Sequence, residues 1–514
     1  MQVISVAFPI FLIVFLAVYF VVPGNYQWIL ILCGSLFFYA YSGPAYLIYL
    51  AGFSLITWLA ALRLGSMEKL RRSDPEKAGG KKTLDMRKRL LILAAMIPTL
   101  GVWIFLKYGS LFFSTFSSLF TPISTARFPI NVIVPLGMSF YTFDAIGYML
   151  DVSKGKYPAE TNFFKYFAFI SYFPHIIQGP FSRFDALAKN ITKTHNFSYD
   201  RMCAGLSRIL WGYFKKMVIA DKLAVSVNEI FRNYPDYYGI QIIAVMIIYG
   251  IQLYADFSGY MDIVCGVSTI LDIPLAENFR QPFFSRSIDE FWRRWHITLG
   301  LWFRDHVFFP VSRSEKARQI RNKLGPFWGK HCVSFIAMFF VWSGSGLWHG
   351  ANWTFLIWGW LNMAVMFCSQ ILDPLYRNIR YKLRITPENK LWNLFRILRT
   401  FLLVCFLFFF TRVDSFANAG RMLRQIFHGF NRKLLLSPMA FFPKMRVQDV
   451  LIVLTGVIMM TVTDLLSENG KWEHTKEKTP FVLRNLVYVF IIFAMILFAG
   501  TGGDITANFI YANF

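Results

Sequence analysis

Residues 7–22 read AFPIFLIVFLAVYFVV, and the first charged side chain in the sequence is that of Arg63. The 514 residues are 56% hydrophobic and only 16% charged, with a mean hydropathy of +0.45. Soluble domains are typically about 45–50% apolar and about 25% charged, so an ordinary soluble protein is excluded. One helical bilayer crossing needs about 20 apolar residues, so this composition allows many crossings. The sequence therefore predicts an all-α polytopic membrane protein.

Basic residues gather in short segments between the apolar runs. Residues 63–89 carry ten Lys and Arg against four acidic residues, and residues 377–399 are again strongly basic. By the positive-inside rule both segments are cytoplasmic, which places the N-terminus and the C-terminus outside the membrane. Residues 412–446 disagree, because they hold seven Lys and Arg yet fall outside by this count. Either the count is wrong by one span, or this loop meets an anionic external polymer or partner.

The net charge of +24 has a similar explanation. Cationic loops set the topology and contact anionic lipid headgroups, so membrane lipids rather than nucleic acid are the expected partner. The six cysteines are scattered without CxxC or Cys/His spacing, so we expect no metal site.

Three segments in the middle of the chain are aromatic but interrupted by charged residues and proline, namely 163–181, 203–228 and 276–310. An unpaired charge at mid-bilayer costs about 3 kcal/mol or more, so these segments cannot face lipid. We expect re-entrant or interfacial helices that line a protein cavity. No internal repeat or linker is visible. The prediction is one domain over residues 1–514, with a core at about 130–371, extra spans at about 400–500 and an external tail, 501–514.

His349 lies at the junction of two apolar runs, in the stretch WSGSGLWHGANW, residues 342–353. The surrounding glycines and serines would let a backbone or a substrate approach closely. A neutral imidazole is the natural general base for a hydroxyl nucleophile. The alternative is a structural histidine that is hydrogen-bonded between two helices.

His296 lies in the stretch SIDEFWRRWHITL, residues 287–299. Ser287 followed by Glu290 is a capping box, so a helix is expected to begin there. One face of this helix, with His296 beside it, would carry Phe291, Trp295, Leu299 and Trp302. The alternative to a functional role is an interfacial helix with an aromatic belt.

Two further ionisable residues stand in apolar surroundings, where such residues are functional candidates. Asp256, in LYADFSGY (253–260), is expected to pair with an arginine of the 286–304 segment, which is a structural role more than a catalytic one. His175, in YFPHIIQGP (172–180), belongs to a broken stretch that its prolines and glycine mark as re-entrant.

Taken in order, these segments resemble the membrane-bound O-acyltransferase (MBOAT) family, and most closely its bacterial branch that acylates cell-surface polymers. That branch includes the alginate and peptidoglycan O-acetylation membrane proteins and, more distantly, the teichoic-acid D-alanylation protein. His175 departs from the pattern, since many relatives have glutamine there. The resemblance is carried by five ordered motifs: FPH (173–175) with QGP (178–180), DFSGY (256–260), ENF (277–279) with Pro282, FWRRWH (291–296) and LWHG (347–350).

The resemblance implies a fold and a site. The fold is a ring of tilted transmembrane and re-entrant helices around a thin central plate, which a tunnel pierces from the cytoplasm to the outside. His349 is then the catalytic base, and His296 is the second active-site residue, which orients the acyl carbonyl or stabilises the oxyanion. The residues expected to support the site or line the tunnel are Asn278, Asp256, His175, Trp295 and Trp348.

The C-terminal residues 509–514 read FIYANF. They resemble the Phe-x-Tyr-x-x-Phe ending of acyl-relay members of the same branch, which implies that Tyr511 accepts the acyl group. A phenol deprotonated by His349 can attack a thioester and hold the acyl group as an aryl ester. The alternative is a plain aromatic anchor at the membrane interface.

The expected function is therefore an O-acyltransferase, most closely an O-acetyltransferase, in a bacterial plasma membrane. Acetyl-CoA or an acylated carrier protein is expected as the donor, with no bound cofactor. The resemblance also implies an external SGNH-type partner that places the acyl group on a polysaccharide hydroxyl. D-alanyl transfer to teichoic acid is a variant of this hypothesis. A transporter or flippase of lipid-linked sugar and a structural scaffold are alternatives from other classes.

Overall fold

The computed structural model describes residues 1–73, 81–120, 134–386, 388–427, 434 and 436–499. Within these ranges the regular structure is helical, apart from an isolated antiparallel bridge between Phe279 and Trp295. This confirms the prediction of an all-α protein. Two π-helical turns cover Lys215–Ala220 and Arg304–Phe308. The α-helices in chain order are α1 (Ala7–Tyr19), α2 (Gln27–Ala40), α3 (Tyr46–Ser73), α4 (Lys81–Phe120), α5 (Met138–Ser153), α6 (Phe163–Ser171), α7 (Phe184–Ile191), α8 (Tyr199–Phe214), α9 (Asp221–Arg232), α10 (Gly239–Ile270), α11 (Ile288–Arg294), α12 (Ile297–Phe303), α13 (Phe309–Ser312), α14 (Glu315–His349), α15 (Trp353–Lys382), α16 (Lys390–Arg412), α17 (Phe416–Gln425), α18 (Val447–Glu468), α19 (Trp472–Lys478) and α20 (Phe481–Ala499).

Seven helices in the described ranges are long and apolar enough to cross a membrane, namely α3, α4, α10, α14, α15, α16 and α18. The apolar helices α1 and α20 are shorter. A break lies at Ser42-Gly43-Pro44, since α2 ends at Ala40 and α3 begins at Tyr46. These helices confirm the prediction of a polytopic membrane protein.

The helix expected to run through His296 is not continuous, so that prediction was wrong. Helix α11 does begin after the Ser287 cap, but it ends at Arg294. Trp295 is extended, and His296 is left-handed, with φ 47° and ψ 50°, before α12 begins. The physical reason is the bridge between Trp295 and Phe279, which takes the backbone out of the helix. The spacing of apolar residues does not encode that long-range pairing.

The chain divides into two compact units. Unit 1 comprises Met1–Ile209 and Val264–Ala276, and unit 2 comprises Leu210–Ile263 and Glu277–Phe514. In unit 1, α3 packs against α4 and α5, and α2 packs against α6. Glu68 of α3 forms a buried ion pair with Lys88 of α4. This pair joins the two helices on either side of the basic segment 63–89. The organisation as one domain stays a prediction.

Helices of unit 2 approach one another closely where glycine removes the side chain. A Cβ on Gly212 of α8 would lie 2.5 Å from the carbonyl oxygen of Gly259 in α10. A Cβ on Gly359 of α15 would lie 2.4 Å from the carbonyl oxygen of Trp342 in α14. Small residues at such crossings are typical of membrane helices, because they let backbones come together. The α14–α15 pair built in this way carries His349 at its turn.

Candidate active site

A cavity of about 830 Å³ in unit 2 has both His296 and His349 in its wall. The segment 280–308 forms part of the wall, and α14 and α15 form the rest. Both histidines are buried, with 3% and 6% of their surface exposed. The fold therefore brings together the two residues that the sequence motifs singled out.

His349 is the last residue of α14, and the turn into α15 fixes its position. Gly350 follows in an extended conformation, and a Cβ there would lie 2.2 Å from the Phe355 ring. Asn352 then caps α15, because its Oδ1 accepts from the Thr354 N–H at 3.1 Å. Glycine after His349 is thus required by the packing of this turn, in addition to any access it gives to a substrate.

Aromatic rings surround the His349 imidazole. The Trp358 ring meets it edge-on with the ring centroids 5.0 Å apart, and the Trp348 centroid lies 4.8 Å away. Trp348 is also 5.8 Å from the His296 ring, so it contacts both histidines. Trp348 was expected from its motif, whereas Trp358 was not, because nothing in the sequence separates it from the other apolar residues of its span. Such aromatic contacts fix the orientation of the imidazole.

Asn278 holds His296 in its left-handed conformation. The Asn278 Oδ1 accepts from the Thr298 N–H at 3.1 Å and from the Thr298 hydroxyl at 3.0 Å. These donors identify the amide oxygen, and the same oxygen lies 3.2 Å from His296 Nδ1. His296 therefore carries its proton on Nδ1 and donates it to Asn278, which leaves the lone pair on Nε2.

The protonation state of His296 follows from its surroundings. Burial lowers the pKa of the imidazole from 6.5 to about 3, so His296 is neutral at neutral pH. With its proton on Nδ1, the ring accepts a hydrogen bond at Nε2 and does not donate one there. The roles expected for His296 toward an acyl carbonyl or an oxyanion both need a donor at the reacting group. In this state the geometry instead favours contact of Nε2 with an N–H, O–H or S–H group.

Asp256 lies on α10 in a buried ion pair. Its carboxylate lies 2.7 Å from Lys216 Nζ, and both side chains are 1% exposed. Lys216 stands in the π-helical turn and also lies 2.8 Å from Asp221. The ion-pair partner is thus a lysine, where an arginine of the 286–304 segment was expected. Phe257, the next residue, meets the His296 ring at 4.8 Å, so the ion pair anchors the helix beside that histidine.

Trp295 anchors the backbone immediately before His296. Its ring is 2% exposed, and its centroid lies 5.0 Å from that of Phe279 and 4.9 Å from that of Phe408. Phe279 is its partner in the bridge, so the same residue is fixed through both backbone and side chain. This packing explains why the helix stops one residue earlier.

His175 is not among the residues that line the cavity. His175 belongs to unit 1, where its Nε2 is 3.1 Å from the Phe169 carbonyl oxygen and its Nδ1 is 3.7 Å from the Asp144 carboxylate. Tyr511 lies outside the described residues. Neither the acyl-acceptor role nor the anchor role of Tyr511 is therefore tested by the fold.

The cavity is lined by four arginines and two acidic residues. All four arginines lie in the segment 276–310, which was expected from its interrupting charges to line a cavity. Within the described part of the chain, no group of three or more His, Cys, Asp or Glu side chains is arranged to hold a metal ion. The cavity wall therefore presents imidazole groups beside guanidinium groups. The charged lining residues are Arg280, Arg293, Arg294, Arg304, Asp289 and Glu290.

A model of the membrane-bound O-acyltransferase family matches residues 152–413, which is just over half of the chain and includes both histidines. The chain belongs to the MBOAT family. All five motifs that carried the resemblance lie within the matched residues of this MBOAT protein. The prediction of a membrane acyltransferase is confirmed.

Named relatives of this MBOAT protein fall into the groups that the motifs suggested. It is 32% identical over 423 residues to the probable alginate O-acetylase AlgI of Pseudomonas aeruginosa, covering 81% of this chain and 73% of that protein. It is 27% identical over 453 residues to the peptidoglycan O-acetyltransferase of Helicobacter pylori, covering 81% and 78%. It is 31% identical over 293 residues to the teichoic acid D-alanyltransferase of Bacillus subtilis, covering 55% and 69%.

Proposed function

We propose that this MBOAT protein is an O-acetyltransferase that takes an acetyl group from a cytoplasmic thioester and moves it outward for O-acetylation of a cell-surface polysaccharide. The observation that carries the proposal is the pair of buried histidines in the wall of a cavity that four arginines also line. The relatives named as O-acetylating enzymes match 81% of this chain, against 55% for the D-alanyltransferase of Bacillus subtilis. This difference in coverage supports the acetyl group.

The donor is acetyl-CoA or an acylated carrier protein, and both carry phosphate. Arginine binds phosphate with paired, charge-assisted hydrogen bonds, so Arg280, Arg293 and Arg304 suit such a donor. The cavity volume of about 830 Å³ lies within the range of about 300–1,000 Å³ that small-molecule sites have. A thioester arm in this cavity would place its phosphates at the arginines and its reactive end at the histidines.

His349 acts as the general base in the transfer. Its imidazole takes the proton of the acceptor hydroxyl while the hydroxyl oxygen attacks the thioester carbonyl carbon. The new C–O bond forms, the C–S bond breaks, and the proton passes from His349 to the departing thiolate. Trp348 and Trp358 exclude water, which would otherwise hydrolyse the thioester. His296, with its lone pair on Nε2, orients an N–H group of the donor arm.

The first acceptor in this scheme is the Tyr511 phenol. The support for this step is the sequence of residues 509–514. An aryl ester is activated enough to pass its acetyl group on, so an external SGNH-type partner would take the group from Tyr511 and place it on the polymer. The support for this partner is the resemblance of the motifs to the polymer-acylating branch of the MBOAT family.

D-alanyl transfer from a carrier protein is the second candidate, and the teichoic acid D-alanyltransferases among the relatives support it. A D-alanyl group carries an ammonium ion next to its carbonyl. Four arginines and two acidic residues line the cavity, but Arg294 is paired with Glu290 and Glu468 and Arg304 is paired with Asp305, so the cavity charge does not select between the two acyl groups. The greater coverage of this chain by the O-acetylating relatives is what favours the acetyl group. Membership of an acyltransferase family also argues against the transporter or flippase of lipid-linked sugar.

The proposal is tested with the purified full-length protein and radiolabelled acetyl-CoA. Wild type, His349→Ala, Tyr511→Phe and the control His474→Ala are compared, because His474 is exposed on α19. Covalent label that mild base releases, present in wild type and H474A and absent from H349A and Y511F, supports the relay. Label lost only in H349A keeps the enzyme but moves the acceptor elsewhere. Label obtained only from a carrier protein charged with D-alanine favours the second candidate.

A further inference from the structure

We propose that α18 belongs to the catalytic apparatus, because its Glu468 positions the His296 segment through Arg294. This inference rests on the proposed acetyl transfer and assigns Glu468 and Arg294 as positioning residues. Helix α18 spans Val447–Glu468, beyond the residues 152–413 that match the family. The support for His296 would thus come partly from a helix outside the matched region.

The contact between the two side chains is specific. Glu468 Oε2 accepts from Arg294 Nη1 at 2.5 Å, and Glu468 Oε1 accepts from Arg294 Nη2 at 2.9 Å. A bidentate pair of this kind fixes orientation as well as distance. The side chains are 10% and 27% exposed, so water and salt screen the pair less than they screen a surface pair.

Arg294 connects Glu468 to the backbone that carries His296. Its Nη2 also donates to Glu290 Oε1 at 2.6 Å, and its carbonyl oxygen accepts from the Arg280 N–H at 3.0 Å. Two residues later, His296 has a φ of 47°, a conformation that costs a non-glycine residue about 1–2 kcal/mol. Such a conformation persists only where its neighbours over-determine it. Asn278 does so through the side chain, and Arg294 does so through the preceding turn.

A second acidic residue of α18 reaches the same segment by another route. The Tyr254 hydroxyl donates to Asp464 Oδ2 at 2.8 Å. The Tyr254 ring packs 5.8 Å from Phe279 and 6.0 Å from Trp295, the two residues of the bridge. Ionisable side chains in an apolar membrane helix are costly, so two of them aimed at one segment indicate a functional constraint. Helix α18 is thus linked, through Tyr254, to both residues of the Phe279–Trp295 bridge, which immediately precedes His296.

The first test compares Glu468→Gln with Asp449→Asn in the purified full-length protein. Asp449 is a matched control, because it forms a bidentate pair with Arg446 at the other end of α18, with both contacts at 3.1 Å. We expect E468Q to lower kcat for acetyl transfer by about 10- to 100-fold, with KM for acetyl-CoA changed by less than about threefold. We expect D449N to keep kcat within about twofold of wild type. Equal kcat values in the two variants would overturn the proposal.

A double variant separates positioning from stability. Removing one partner of a partly buried ion pair leaves a charge without its counter-charge, whereas replacing both partners by apolar residues restores stability. Arg294→Met and Glu468→Met alone should therefore lower Tm, and the double variant should regain Tm but not kcat. Recovery of kcat together with Tm would show a purely structural role and overturn the proposal.

A third readout does not depend on the acyl donor. The rate at which diethyl pyrocarbonate modifies His296 is measured by mass spectrometry, with exposed His474 as the internal reference. Loss of positioning predicts faster modification of His296 in E468Q and in the double variant, and an unchanged rate in D449N. An unchanged rate in all variants would overturn the inference even if acetyl-CoA is not the donor. Absence of acetyl transfer by the wild type, by contrast, contradicts the proposed function only.

Discussion

At the scale of single residues, Asn278 is the side chain that holds the backbone around His296. One carboxamide oxygen accepts two hydrogen bonds from Thr298 and fixes the tautomer of His296. The ENF motif pointed to Asn278 as a supporting residue, but a sequence does not tell which groups an amide satisfies. The left-handed conformation of His296 could not be predicted, since nothing in FWRRWH marks a residue with positive φ.

Asn278→Ala is expected to lower kcat by about 10²-fold, because His296 loses its orienting acceptor. It should also cost about 2–3 kcal/mol of unfolding free energy, since the buried N–H and hydroxyl of Thr298 lose theirs. The control is Asn389→Ala at the exposed cap of α16, which should cost about 1 kcal/mol and leave kcat unchanged. Steady-state kinetics and thermal unfolding of both variants check this, and a wild-type kcat for N278A would contradict the role given to Asn278.

Because His296 is buried, it also makes the stability of the folded protein depend on pH. Its folded-state pKa is lowered to about 3, whereas an unfolded histidine titrates near 6.5, so only the unfolded chain binds this proton between those values. The folded state therefore loses stability as pH falls below about 6.5, and His296 has no effect above that value.

The measurement is Tm at about pH 6.5 and at about pH 4.5 for wild type, His296→Gln and His474→Gln. Glutamine removes the titrating group, so H296Q should lose less Tm on acidification than wild type, while H474Q should follow wild type. His175, whose pKa burial lowers to about 4, contributes equally to all three proteins. Parallel losses in H296Q and wild type would contradict a neutral, buried His296.

At the scale of elements, the long apolar helices could be predicted and the broken segment could not. Long apolar stretches of the sequence lie in helices such as α10 and α14, because a backbone in lipid must satisfy its own hydrogen bonds. The capping box at Ser287 marked the start of α11 correctly. The end of α11 depends on the pairing of Trp295 with Phe279, which is a tertiary contact. The contact between Glu468 and Arg294 was hidden for the same reason.

The crossing of α14 and α15 carries its own prediction. Gly359→Ala adds a methyl group that would lie 2.4 Å from the Trp342 carbonyl oxygen, so the helices must separate. We expect a loss of about 1–3 kcal/mol and a lower kcat, because His349 stands at the turn between these helices. Gly420→Ala on α17 is the control, since a Cβ there has no neighbour within 4 Å and alanine favours a helix. Thermal unfolding and kcat are measured together, and equal values for the two variants would refute the close crossing.

At the scale of the whole molecule, the charge pattern decides orientation in the membrane. Helices α3 and α4 meet in the basic segment 63–89, and α15 and α16 meet in the basic segment 377–399. Helix α16 is one of the seven helices that can span a membrane, and it leads directly into residues 412–446. A single crossing by α16 would put this second cationic segment on the side opposite to 377–399. If residues 377–399 are cytoplasmic, as the positive-inside rule predicts, residues 412–446 are therefore expected outside the membrane.

Cysteine labelling tests this orientation in a background where the six native cysteines are replaced. Ser437→Cys and Thr386→Cys are compared, because both positions are exposed, one within 412–446 and the other between α15 and α16. A membrane-impermeant maleimide added to spheroplasts should label S437C and not T386C, and permeabilisation should allow both. The reverse pattern would make residues 412–446 cytoplasmic, and their seven Lys and Arg would then follow the positive-inside rule. If S437C is labelled from outside, the positive-inside rule does not explain the seven Lys and Arg of residues 412–446. An anionic polymer or an acidic partner surface would then be the expected contact of these basic residues.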